Sequence, residues 1–221
     1  MGDFRRAITR EQKQERRQKI LDAARELFSE SDFASVKILD IAKRTGLGKG
    51  SVFLYFESKE DLFLELAMQE FDAWYQKIQF LLMEHSGNGV GGRELLELLD
   101  RTFLSRNLLI RLLVTATTVL EQNAGYEQAV SYKRTLHDEI CQLGETLDEK
   151  VVYFKEGDGA RFLLHCLALL AGTYQMANPS EVVRQAVDCE ELPLFQMDFR
   201  TSFLEELQIF LNGMMVQLYM G

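Results

Sequence analysis

Between Thr45 and Leu62 the chain reads TGLGKGSVFLYFESKEDL. Glycines at 46, 48 and 50 surround a single lysine, Lys49, and a hydroxyl follows at Ser51. Free backbone N–H groups at the start of a helix, with a lysine and a hydroxyl beside them, are groups that hold an anion. Two chemistries use such a turn: cradling the phosphates of a nucleotide, or seating a helix against a nucleic-acid backbone. A nucleotide loop needs GxxxxGK[ST] directly after a strand, whereas GLGKGS has the wrong spacing and follows a helical pattern. No other residues compete as a reaction centre. Cys141, Cys166 and Cys189 form no CxxC, and His137 and His165 have no metal-type spacing. No Ser/His/Asp or paired-carboxylate arrangement stands out. The expectation is therefore no catalytic residue, no metal, no cofactor and no enzyme.

The elements that must position this turn are helical. Ile20, Ala23, Ala24, Leu27 and Phe28 share one face of a helix over about 12–30. Ile38, Ile41 and Ala42 begin a second, short helix that Gly46 can end with a positive φ. A third short helix carries Val52, Phe53 and Phe56. Ser58, with Asp61 three residues on, reads as the N-cap of a fourth helix reaching Met83. HSGNGVGG, from His85 to Gly92, is a break. Beyond it the periodicity predicts helices at about 93–104, 106–122, 126–148, 157–176 and 198–219, with a short helix at 180–187 and irregular chain from Asp188 to Gln196. Only two prolines occur and no sustained alternation suggests strands. The predicted fold class is all-α, with a three-helix head, residues 1–58, and a helical bundle, residues 59–221.

Charge divides along the same line. The formal net charge is −9, but the first 60 residues hold 13 Lys and Arg against 10 Asp and Glu, and the rest hold 12 against 24. A basic head on an acidic body suits a phosphate contact, although a solvated helix start would carry the same charges. The N-terminal MGDFRRAITREQKQERR has no apolar stretch of a secretory signal, and the apolar run Phe162–Gly172 is too short to span a bilayer. A cytoplasmic protein with no membrane partner is expected.

Two short helices joined by about four residues containing glycine have the spacing of a DNA-binding helix-turn-helix. From RRQKILDAARELFSES through ILDIAKRTGLGKGSVFLYFESKEDLFLEL the chain resembles the TetR family of transcriptional regulators, over about residues 13–70. The matching residues include Ile20, Ala23, Ala24, Leu27, Phe28, Ile41, Ala42, Gly46, Gly50, Phe56, Lys59 and Leu62. The resemblance implies a regulator, most often a repressor, that grips a palindromic double-stranded DNA operator as a homodimer and responds to a small apolar or amphipathic effector. It departs from the family pattern at Val36, Leu39, Gly48 and Phe53, where threonine, a basic residue and hydroxyls are usual. A missing threonine N-cap before the second helix is one consequence, unless Ser35 substitutes.

DNA contact is expected at Lys37, Lys43, Arg44, Lys49, Gly50, Ser51, Phe53, Tyr55 and Lys59. Lys49 would enter a groove, Ser51 and Tyr55 would bond phosphate, Phe53 would meet a thymine methyl or pack inside, and Lys59 matches the family's phosphate-binding lysine. Arg5, Arg6 and Arg10 are candidates for a minor-groove arm. In the body, Phe162, Leu163, Cys166 and Leu170 on one helix, and Phe203, Leu207, Phe210 and Met214 on the last, are the expected dimer interface; a core within the chain would give the same stripes. Candidate effector contacts are Arg111, Thr115, His137, His165, Tyr174 and Gln175, polar or aromatic residues in apolar surroundings. Two further readings stay open: a helical interaction protein that has lost DNA binding, and, less favoured, a nucleotide-handling enzyme.

Overall fold

The computed structural model describes residues 9–220, with side chains described as far as Met215. Arg5 and Arg6 therefore lie outside the described residues, and Arg10 is the first residue of a helix rather than part of an arm. The all-α expectation holds. The order is α1 (Arg10–Glu30), α2 (Ile38–Thr45), α3 (Lys49–Val52), α4 (Lys59–Met83), α5 (Gly92–Leu99), α6 (Asn107–Thr115), α7 (Glu121–Asn123), α8 (Tyr126–Lys150), α9 (Asp158–Ala177), α10 (Glu181–Cys189) and α11 (Phe199–Met220). π turns at Asp100–Leu104 and Ala116–Leu120 extend α5 and α6. The segment read as irregular contains one 3₁₀ turn, Pro193–Phe195. No strand occurs among the described residues; Val90 and Val151 form an isolated bridge.

Local chemistry sets the helix ends. Thr9 and Gln12 exchange side-chain bonds with each other's backbone N–H, satisfying two donors that open α1. Ser58 accepts the Asp61 N–H at 3.0 Å while Asp61 accepts the Glu57 N–H at 3.1 Å, so α4 starts as its sequence predicts. The second helix is different: Lys37 sits at its N-cap and no side chain caps it. Ser35 does not substitute for the missing threonine; its own N–H donates to Asp32 at 2.7 Å. Gly46 closes α2 at φ 69°, the left-handed conformation that lets its N–H reach back to the last turn.

The head is a three-helix unit around Ile20, Ala24, Phe28, Ile41, Val52 and Phe56, all essentially inaccessible. The long α4 joins head and body. Its first turns bury Leu62, Phe63 and Leu66, with the Phe63 ring edge-on to Phe28 and Phe33. Its later turns bury Phe71, Trp74, Ile78 and Leu82, and the Trp74 indole N–H donates to Thr102 Oγ1 at 3.2 Å. One continuous apolar cluster runs from Ile20 to Met214.

In the body α8 and α9 pack most intimately, crossing glycine on glycine. A Cβ at Gly159 would sit 2.2 Å from the Gly144 carbonyl oxygen, and one at Gly144 would sit 2.6 Å from the Ala160 nitrogen. Asp148 fixes the approach, accepting N–H bonds from Gly157 at 2.7 Å and Gly159 at 2.6 Å at the start of α9. Among the described residues no single helix is long and apolar enough to cross a membrane. The segments Gly92–Leu104 and Asn107–Asn123 pass that test only together, across an 85° bend.

Candidate nucleic-acid interface and the cavity behind it

The turn that opened the sequence analysis lies at the surface, and the arcs of α2 and α3 that turn away from the core define a face. Val52 and Phe56 point inward; Lys49, Gly50, Phe53 and Leu54 point outward, Phe53 44% and Leu54 76% exposed. On α2, Ile38, Ile41 and Ala42 are inside, while Leu39, Lys43 and Arg44 are outside. Lys37 and Lys49 make no ion pair among the described residues. Lys43 lies 3.7 Å from Asp40, and Arg44 lies 3.1 Å from Glu26 on α1. Ser51 and Tyr55 are half-buried, with Tyr55 packed against the core. Gly50 has nothing within 4 Å of a built Cβ, so packing inside the chain does not require a glycine there.

Lys59 differs from its expected role. Its ammonium donates to the Phe33 carbonyl and lies 3.9 Å from the Phe33 ring centroid, and burial pulls its pKa below the usual lysine value. It ties the α1–α2 loop to the start of α4, with its charge turned to that loop rather than held free at the surface.

Sequence reasoning missed Arg17. Its guanidinium makes a two-pronged pair with Glu65 of α4, with Nε 3.0 Å from Oε1 and Nη2 bonded to Oε2. Nη1 donates to the Tyr55 carbonyl, and the group lies 4.2 Å from the centre of the Phe56 ring. One side chain thus joins α1, the end of the recognition turn and α4. In sequence it is one of four cations between Lys13 and Lys19, and nothing in that run distinguishes it.

The six expected effector contacts do not converge. Arg111 donates to the Ser31 carbonyl and lies 4.5 Å from the centre of the Phe28 ring, linking α6 to the end of α1. Thr115 bonds the Arg111 carbonyl at 2.7 Å within its own helix. His137 is on the surface, 3.0 Å from Asp138 and 3.7 Å from Cys141 Sγ, while His165 lies against Phe210 outside the core. Tyr174 packs edge-on against Phe199, and Gln175 is exposed. Of the six, His137 helps line a wide, mostly apolar surface cleft of about 630 Å³ with Leu136, Ile140, Leu164 and Leu167, and a smaller apolar cavity beside it is lined by Phe71, Trp74, Leu99, Phe103, Ile140, Leu163, Cys166, Leu167, Phe203 and Leu207. Its free volume is about 30 Å³ and its lining almost wholly apolar, room for one or two waters and no organic molecule until its walls move. Burial pushes the Cys166 thiol far above its usual pKa, so it lines the wall as a neutral apolar group.

The expected dimer residues are also placed inward. Phe162, Leu163, Leu170, Phe203, Leu207 and Met214 are buried within the chain itself, and Cys166 and Phe210 pack against that core. Most of the apolar stripe of α9 and α11 serves the intramolecular core, while Cys166 and Phe210 stay half-buried at its edge. What these helices leave exposed is the opposite side: Leu164, His165, Ala168, Gly172 and Met176 on α9, and Ile209 and Gly213 on α11.

Comparison with known proteins agrees with this architecture. Residues 20–66 match the family model for bacterial regulatory proteins of the tetR family, and residues 68–217, more than half of the chain, match that for the tetracyclin repressor-like C-terminal domain. The HTH-type transcriptional regulator AcrR of Shigella flexneri is 41% identical over 58 residues, which are 26% of this chain and 27% of that protein. The chain thus aligns with only about a quarter of that relative's length. The fatty acid degradation regulator FadR from Bacillus halodurans superposes with a TM-score of 0.54 at 22% identity, covering 86% of this chain and 95% of that one. FadR from Bacillus subtilis, solved in complex with stearoyl-CoA, superposes at 0.50 with 20% identity, covering 86% and 96%. With the head and the body each matching its own family model in chain order, the chain belongs to the TetR family of bacterial regulatory proteins.

Proposed function

We propose that this chain is a transcriptional repressor that binds a palindromic DNA operator as a homodimer and lets go when an apolar or amphipathic small molecule enters its body. Residues 1–58 are the DNA-binding head and residues 59–221 the effector and dimerisation unit. The observation that carries the reading is the course of α4. Near its start Glu65 holds Arg17 under the recognition turn, and farther along Phe71 and Trp74 wall the apolar cavity. A molecule that opens the cavity displaces the same helix that anchors the turn. Such a ligand acts only if it binds the two arrangements unequally. The apolar lining favours an acyl-like ligand, in keeping with the stearoyl-CoA held by the Bacillus subtilis protein. The exposed side of α9 and α11 is the surface proposed for the second copy, and two-fold pairing would present two recognition turns to successive turns of one DNA face.

The test is selection from a random duplex library with the full chain, followed by titration at several salt concentrations. A palindromic site should emerge, and Lys49→Ala should weaken it and lower the salt slope by about one. Acyl-CoA should release the duplex, in proportion to acyl length. A folded dimer that enriches no sequence would leave the alternative of a helical interaction protein, which the apolar Leu39, Phe53 and Leu54 on the outward face also favour.

A further inference from the structure

We infer that the outward face of α2 and α3 reads thymine through its 5-methyl group, with Phe53, Leu54 and Leu39 as the reading residues. The inference rests on the DNA-binding reading above and specifies what that surface selects. Its basis is what the face lacks. Phe53, Leu54 and Leu39 are 44%, 76% and 46% exposed, among the large apolar side chains the chain leaves in water. None is turned outward for want of an apolar neighbour, because Ile38, Ile41, Val52 and Phe56 alongside them are buried. Between them stand Gly48 and Gly50, which offer no side chain, while Ser51 is half-buried. Lys49 is the only outward side chain on α3 that can hydrogen-bond a base.

The surrounding charge identifies the occupant as a nucleic-acid duplex. Lys37, Lys43, Arg44 and Lys49 are exposed on or at the ends of the same two helices; Lys43 and Arg44 pair with Asp40 and Glu26, and Lys37 and Lys49 have no acidic partner among the described residues. In the major groove each base pair offers donors and acceptors, and thymine alone of the four standard bases adds an apolar group. Phenyl and isobutyl side chains have no donor or acceptor, so they gain only where a methyl meets them. Against guanine, cytosine or adenine they would cover polar edges without replacing their hydrogen bonds to water. The same residues therefore favour thymine and penalise the alternatives. Burying one methyl gives about a fourfold gain in affinity, so three contacted methyls per half-site give roughly sixtyfold.

The test uses the duplexes enriched by the full-length protein from a random library made with dTTP. Each is rebuilt with deoxyuridine, which removes only the methyl, first at every thymine and then one position at a time. Full replacement should cost tenfold or more per half-site, concentrated at two or three positions of about fourfold each. At those positions 5-methylcytosine should bind better than cytosine. Leu54→Ala and Phe53→Ala should each erase the thymine-over-uracil preference at one position while retaining the salt slope and the helical spectrum. Equal affinity for thymine and uracil duplexes overturns the inference but leaves DNA binding intact. A library in which nothing is enriched overturns the DNA-binding reading, and this inference with it.

Discussion

Replacing Arg17 with methionine removes the guanidinium and keeps most of the aliphatic stem. Three interactions go at once: the two-pronged pair with Glu65, the bond to the Tyr55 carbonyl and the contact with the Phe56 ring. Hydrogen bonds to charged groups contribute about 1.5–3 kcal/mol where buried, and a cation over an aromatic ring about 0.5–1 kcal/mol. Both side chains of the pair remain 28% exposed, so water reclaims part of this and the net loss is about 2–3 kcal/mol. In a chain of this size that lowers the melting temperature by about 5–10 °C. The effect on DNA should be larger than on the fold as a whole. The recognition helix Lys49–Val52 is a single turn, far below the length that holds itself together, and Arg17 pins the residues that follow it. Operator affinity should fall about tenfold or more, with an unchanged salt slope because Arg17 is spent inside the head. Glu65→Gln should lose less, and the double variant should show coupling of about 1 kcal/mol or more by thermal melts and duplex titration. A variant that melts and binds like the parent refutes the clamp. A salt slope reduced by one, as expected for Lys49→Ala, would instead make Arg17 a phosphate contact.

Three other sites carry expectations. Burial, with Asp72 adding repulsion, raises the Glu139 carboxyl from its ordinary 4.5 to about 7, and its Oε2 has no hydrogen-bond partner among the described residues. A raised folded-state pKa means the folded chain holds more protons than the unfolded one between those values, so stability falls as pH rises from about 4.5 to 7 and stays lower above. Glu139→Gln should flatten that dependence and raise the melting temperature at pH 8 by about 2–4 °C, the effect of about 1 kcal/mol once solvent screening is allowed for; an unchanged pH profile of thermal melts would remove the carboxyl from consideration. Gly159→Ala drives a methyl into the Gly144 backbone, which cannot yield, and should cost about 3 kcal/mol or abolish folding, whereas Gly172→Ala, with open space around it, should not destabilise the isolated fold; circular-dichroism melts of the two compare them directly. Arg111→Met breaks the tie between α6 and the end of α1, and hydrogen exchange at the end of α1 should quicken while the far end of the body, at α10, stays as it was.

What the sequence disclosed and what it hid follow from the range of each interaction. The helices, the Ser58 N-cap and the Gly46 terminus were legible because periodicity, capping and left-handed φ are local, decided within four residues. The family likewise was legible in a contiguous head. The clamp at Arg17 was not, since its partners lie 38 and 48 residues away and no local pattern separates a cation that will be buried from its solvated neighbours. Lys59 shows the opposite case: the motif marks it for phosphate, and the Phe33 carbonyl, a partner 26 residues away that no local pattern announces, accepts from its ammonium. The apolar stripes of α9 and α11 show most clearly why periodicity ends where it does. A stripe reports that a helix face avoids water, but a core within the chain and a second subunit satisfy that demand equally. On both helices the denser stripe, through Phe162, Leu163, Leu170, Phe203 and Leu207, closed over the body's own cavity. The thinner outward set, Leu164, Met176 and Ile209 among small residues, forms no stripe that periodicity singles out; the fold leaves all three exposed. The surface proposed for a partner on α9 and α11 is therefore this exposed set, outside the stripe that periodicity singles out.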